Sequence, residues 1–226
     1  MNMTKLLYHK LDPSSRLIRL ILAEYNIEVK LEEASPYKAS KNLTDIDPNA
    51  SVPLLLEGKN SPIIGSLAIV HYIEEIHKQK SNSLFPENAS DRAEMWRLYE
   101  WVMLKFNDEV SRYILEEKIG KREQKMGAPD PKVLRAAKVN LFEHEKYFAY
   151  LFETRNWLAG KNLTLADFAL AAHLSCLDYL GEIDWSKAGE TKNWYARVKS
   201  RPAFRSLLSD RIVGMPAAKS YTDLDF

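Results

Sequence analysis

The sequence predicts an α/β half followed by an all-α half. Three observations carry this. A strand–helix–strand order occupies residues 5–33, two short apolar runs flank a polar turn in residues 52–64, and past residue 90 every apolar period is helical. The expected boundaries are 1–78 for the α/β domain, 79–90 for a linker, 91–208 for the helical domain and 209–226 for a tail.

Lys5-Leu6-Leu7-Tyr8-His9 reads as the first strand. A helix follows from about Ser14 to Tyr25, with Leu17, Ile18, Leu20, Ile21 and Leu22 giving a broad apolar face. Ser14 or Ser15 is expected to cap it. Val29–Glu33 is the next strand, and the β–helix–β order implies a parallel pair with a right-handed crossover. Residues 34–48 read as irregular. Pro53 stands where the next strand begins. It cannot donate to a ladder, and Val52-Pro53 is a candidate cis bond. Leu54-Leu55-Leu56, a turn through Glu57-Gly58-Lys59-Asn60, and Ile63-Ile64 make a hairpin. Ser66 is expected to cap the helix after it.

Residues 79–90 are polar and without apolar period, as a linker requires. Ser90 is the expected cap of a long helix carrying Trp96, Tyr99, Val102, Met103, Phe106, Val110 and Ile114, an aromatic stripe suited to a bundle core. The helix loses its period near Gly120, and Gly127-Ala128-Pro129 breaks the chain. Asp130 as cap and Pro131 at the first helical position open a helix to about Thr154. Thr164 and Asp167 have capping-box spacing, with Leu163 and Phe168 as the staple, so Asp167 is a structural acid. A last helix spans about Glu190 to Ser200.

Lys+Arg 32 against Asp+Glu 31 leaves a net charge of +1, which argues against a nucleic-acid or anionic-membrane surface. No apolar run is long enough to span a bilayer, and the first residues lack a signal-peptide core. The single cysteine, Cys176, lies in an apolar helical pattern and reads as a core residue of a cytoplasmic protein. The five histidines have no metal-ligand spacing, so no metal is expected.

The strand, the Val52-Pro53 pair, the hairpin and the Ser66 helix together resemble the thioredoxin-like half of the glutathione S-transferase family. The Thr164–Asp167 box resembles that family's helical domain. The resemblance implies that Val52-Pro53 holds the cysteinyl backbone of glutathione and that an acid followed by Ser66 holds its γ-glutamyl end. Here the acid is replaced by Gly65. Such enzymes stabilise a thiolate with a hydroxyl near the start of the first helix, because a hydrogen bond to the anion lowers the thiol pKa. The resemblance puts that serine four residues before the first arginine of Arg16-Leu17-Ile18-Arg19, where Asp12 stands. A carboxylate there opposes a thiolate. Ser14 and Ser15 remain as alternative donors, and Tyr8 lies on the strand itself. The expectation is a vestigial glutathione site (Val52, Pro53, Ser66) with no catalytic residue and no cofactor. The alternative is a glutathione-dependent transferase or peroxidase.

Leu6-Leu7-Tyr8-His9, Leu11-Asp12-Pro13, Lys125-Met126-Gly127-Ala128-Pro129-Asp130 and the ending Tyr221 to Phe226 resemble a narrower branch: transferase-like division proteins of alphaproteobacteria. That resemblance implies a cytoplasmic homodimer at the division site. It binds filaments of the tubulin-like protein FtsZ, alters their curvature and promotes constriction. Two binding surfaces are expected. One is the end of the long helix, Glu117, Lys118, Lys121 and Arg122, beside Asp12. The other is the tail, Tyr221, Asp223, Leu224, Asp225 and Phe226, as the seat of a second division protein.

Overall fold

The structure is a computed structural model, and it describes residues 4–38, 40–77 and 83–224. The N-terminal half carries a four-stranded sheet in the order β2-β1-β3-β4. Strands β1 (Lys5–Tyr8) and β2 (Lys30–Glu33) are parallel, with Leu6 opposite Leu31. Strand β3 (Leu54–Leu56) runs antiparallel to β1 and to β4 (Ile63–Ile64). Side chains alternate across the sheet. Leu6, Tyr8 and Leu55 join the main core, whereas Leu7 and Leu54 pack with Leu43, Ala50 and Val52 on the opposite face. Leu43 comes from a short helix, α2 (Lys41–Thr44), inside the segment expected to be irregular.

Helix α1 (Pro13–Glu24) crosses between sheet and helical domain. Its cap is Asp12, whose carboxylate accepts the Ser15 N–H at 2.6 Å. Ser14 and Ser15, the expected caps, lie inside the helix. Pro13 decides the choice, because proline favours the first helical position and leaves the cap to the residue before it. Helix α3 (Ser66–His77) likewise begins at Ser66, and the Gly65 carbonyl accepts its first backbone bond, from Ile69. Ser66 is therefore the first helical residue and not the cap. The described end of the expected linker is packed: Leu84 is buried, and its N–H donates to the Tyr25 hydroxyl.

One long helical run, α4, covers residues 89–124, capped by Asn88 and not by Ser90. Between Trp101 and Ser111, and again between Glu116 and Gly120, its turns widen to the i→i+5 pattern. Leu98, Val102, Phe106, Val110 and Ile114 are all fully buried and recur every four residues. An α-helix turns once per 3.6 residues, so strict four-residue spacing would drift around it. The wide turns keep that spacing on one face.

Helix α5 (Pro131–Phe152) is capped by Asp130 as expected. Every residue of α6 (Leu165–Tyr179) is buried, which makes it the central element of the helical half. The Asp167 carboxylate accepts N–H groups of Leu158 (2.7 Å), Thr164 (2.9 Å) and the Trp194 indole (2.9 Å). Burial raises its pKa against these donors, so Asp167 pins the start of α6 and has no free oxygen for catalysis. Helices α7 (Glu190–Lys199), α8 (Arg205–Leu208) and α9 (Lys219–Thr222) complete the chain. The two halves are locked through α1. Arg16, fully buried, donates to the Lys10 carbonyl (2.6 Å) and Ser175 Oγ (2.8 Å), and Arg19 to Asp210 (2.8 and 3.0 Å). Among the described residues no helix is long and apolar enough to cross a membrane.

Candidate functional site

Three elements converge where the sheet domain meets the end of α4: the β1–α1 loop, the 34–38 turn and residues 115–125. The Val52–Pro53 bond beside them is cis. Asp47 organises the approach to it by accepting the N–H groups of Asn49 and Ser51, both at 3.1 Å. Among the described residues the Val52 N–H and C=O make no hydrogen bond, so an extended ligand backbone has both groups available. The Pro53 carbonyl is taken by the Gly65 N–H at 3.1 Å. Gly65 itself sits at φ +86° with open space where a side chain would be. An acid there would fit but hold a conformation that favours glycine.

The two candidate serines differ in exposure. Ser15 is fully buried and its Oγ accepts the His9 N–H at 3.2 Å, so it is corrected from candidate donor to structural residue. Ser14 keeps partial exposure. Tyr8 is buried under the Arg19 guanidinium, and burial raises its hydroxyl pKa, the wrong direction for a donor to a thiolate. Burial also raises the Asp12 carboxyl, against the Ser15 groups that bond it.

Where an electrophile would stand, the chain packs on itself. Leu11, Leu115, Ile119 and Tyr221 form a buried cluster, with Tyr37 laid against it. The Tyr37 ring rests on Gly120, where an added Cβ would meet it at 3.0 Å. Glu123 ties the closure by accepting the Ser35 hydroxyl and meeting His9 Nε2 at 2.8 Å. Burial alone would raise the Glu123 carboxyl, but these two partners outweigh it and hold the pKa below the ordinary range. The Gln124 amide adds a bond to the Tyr37 carbonyl at 3.1 Å. What remains beside the plug is a polar cleft of about 570 Å³ between Lys10, Glu33, Lys38, Arg122, Lys125 and Val213.

The expected partner-binding residues divide. Glu117 is buried: it pairs with Lys121 and accepts the Asp130 N–H at 2.6 Å, which fixes the turn into α5. It is corrected to a structural residue, its pKa lowered by Lys121 and by that N–H. Lys118 shares the buried Glu182 with Lys138. Lys118, Lys121, Arg122 and Lys125 nonetheless line one open cleft of about 620 Å³, floored by Leu180 and Met215. Arg122 and Lys125 are exposed, and Lys125, outside the predicted set, belongs with them.

The tail is a strap on its own domain. Tyr221 is fully buried, with its hydroxyl on the Leu207 carbonyl at 2.6 Å and its ring against Tyr179 and Arg16. It cannot face a partner. Lys199 is buried as well, and its Nζ donates to the Ser220 and Asp223 carbonyls. The Asp223 and Leu224 residues remain exposed, and Asp225 and Phe226 lie outside the described residues. Nothing local in the sequence signals this docking, since its partners lie on α1, α6, α7 and α8.

A cis-proline strand end, a four-stranded mixed sheet and a helical half built on a capped, buried α6 define the glutathione S-transferase fold. Family models for its N-terminal domain match residues 7–81 and for its C-terminal domain residues 110–202, and the chain belongs to this family. Over the full length of both proteins it is 40% identical to FtsZ-localized protein A of Caulobacter vibrioides. The solved structure of FzlA from C. crescentus superposes with a TM-score of 0.93 at 38% identity, covering 99% of this chain and 100% of that one. A glutathione S-transferase from Sinorhizobium meliloti 1021 gives 0.94 at 38% identity, with both chains fully covered.

Proposed function

We propose that this protein is a non-catalytic adaptor that associates with FtsZ filaments, alters their curvature and promotes division in the cytoplasm at the division site. The observation that carries the reading is the full-length similarity to a relative named for its localisation with FtsZ, joined to a transferase site plugged by Tyr37 and Glu123. The working surface is the basic cleft at the end of α4, with Arg122 and Lys125 exposed for an acidic partner face. A homodimer would double that surface about a two-fold axis and let it bridge or bend filaments. Leu67 on α3 and Leu104 on α4 are about half exposed, and apolar side chains of this kind suit a second copy. The exposed Leu224, at the described end of the tail, is the place for a second division protein.

The test is co-sedimentation with polymerised FtsZ. The wild type is expected in the pellet, and Arg122→Glu with Lys125→Glu in the supernatant, at an unchanged melting temperature. Equal pelleting of both proteins removes this surface from the reading. A second reading, glutathione-dependent chemistry, is supported by the free Val52 backbone groups and the partial exposure of Ser14. Retention on immobilised glutathione and turnover that disappears in Ser14→Ala would favour it.

A further inference from the structure

Strand β2 is an edge: it pairs with β1 on one side and with no described strand on the other. The ladder fixes which of its backbone groups face outward. The Lys30 N–H donates to the Thr4 carbonyl and the Ala34 N–H to the Tyr8 carbonyl, both at 2.8 Å. In a sheet, alternate residues of a strand turn their N–H and C=O to the same neighbour. Residues 30, 32 and 34 therefore serve β1, and Leu31 and Glu33 turn their groups to the free side. All four residues of β2 are exposed, Leu31 at 42%. Beside the edge an apolar cleft of about 470 Å³ separates Val29 and Leu31 from Leu22 and Ala23 of α1, so that face is open as well. An unpaired edge of this kind is a template for another strand.

The side chains choose the strand. Leu31 shares a sheet face with Leu6, and Lys30 and Glu32 stand on the other face. Glu32 pairs with Lys5 at 2.8 Å, yet its side chain stays half exposed, and Lys30 is exposed beside it. We propose that β2 pairs antiparallel with β2 of a second copy of this chain, about a two-fold axis at Leu31, joining two four-stranded sheets edge to edge. The outward groups of Leu31 and of its counterpart then exchange both N–H···O bonds, as an antiparallel ladder requires. Lys30 meets Glu32 of the copy, and Glu32 meets its Lys30, so the register sets two unlike charge pairs across the axis. Val29 meets Glu33 of the copy, which keeps Lys10 as its own partner at 2.9 Å. Charges on an edge ordinarily discourage pairing, and here they admit a strand with the complementary order. The contact lies apart from Leu67 of α3 and Leu104 of α4. Two different two-fold contacts on one protomer can extend into an array, which would repeat the basic cleft at the end of α4.

The test uses the full chain alone, so its outcome is independent of the FtsZ reading. Leu31→Cys places a thiol at the axis, and the native Cys176 is buried and silent. A short bis-maleimide is expected to link Leu31→Cys copies into covalent dimers, which a contact elsewhere on the molecule would not give. Lys30→Glu and Glu32→Lys are then added separately to that background. Both positions are exposed, so the melting temperature should hold. Alone, each variant sets like charges against each other twice, and linking should fall about tenfold or more. Mixed one to one, the two variants face each other with unlike charges again, and linked heterodimers should return. No linking of the Leu31→Cys parent at up to roughly 0.1 mM chain overturns the proposal. So does equal linking in the parent and both charge variants, or a mixture that links no better than either variant alone.

Discussion

Glu145 offers a measurement that separates buried charge from every other contribution to stability. It lies on α5, is 9% exposed, and has no hydrogen-bond or ion-pair partner among the described residues. Burial, with a smaller push from Asp184, raises its carboxyl from 4.5 to about 7. Asp184 itself stays ionised throughout, because Lys187 and Ser186 hold its pKa at about 2. Between 4.5 and 7 the folded protein keeps a proton that the unfolded chain releases, so stability falls as pH rises through this window. That interval, at about 1.36 kcal/mol per pH unit, sets a ceiling of about 3 kcal/mol. Glu145→Gln keeps the shape and removes the titration. Urea unfolding of both proteins at pH 4.5, 6 and 8 is the assay. The difference between variant and wild type should move in favour of the variant by about 1–3 kcal/mol from the lowest pH to the highest. A difference that stays constant across the series would show that Glu145 is ionised or solvated in the fold, and the reasoning fails.

Other contacts give sharper losses. Asp210→Asn leaves Arg16 and Arg19 buried without their carboxylate, and unfolding free energy should drop by about 3–5 kcal/mol; a loss below about 1 kcal/mol in urea titration contradicts the buried pair. Gly120→Val drives a side chain into the Tyr37 ring and should cost about 1–3 kcal/mol, with the 34–38 turn becoming more open to limited proteolysis. Asp12→Ala should cost about 0.5–2 kcal/mol through the lost cap, while Asp12→Ser restores most of it; equal losses in both variants would place the value of Asp12 elsewhere.

The parts legible in the sequence were those decided by neighbours in the chain. Pro131 after Asp130, and Thr164 three residues before Asp167, are local arrangements, and both stand as read. Asp12 was misjudged although its signal was present, since Pro13 at the first helical position outranks the serines that follow. The widened turns of α4 also had a trace in the strict four-residue spacing from Leu98 to Ile114. The ties between Arg19 and Asp210, between Tyr221 and Leu207, and between Glu123 and Ser35 had none. Each joins residues far apart in the chain, and a charged run such as 116–125 reads as solvated until the fold brings a partner to it.

Asp12 also explains why a carboxylate at the helix cap and the closure of the cleft belong together. As a cap it needs its carboxylate turned onto the Ser15 N–H, and burial there requires neighbours that exclude water. Those neighbours are Tyr37, held by Gly120, and His9, held by Glu123. An open electrophile pocket would hydrate the same carboxylate and expose Leu11 and Ile119, both of which are now buried. The closed arrangement therefore trades a cavity for a firm seam between the two halves, with Glu123, Arg122 and Lys125 carried on the rim of that seam. A surface of that kind is suited to recognition by charge and shape, because its residues are fixed by packing before any partner arrives.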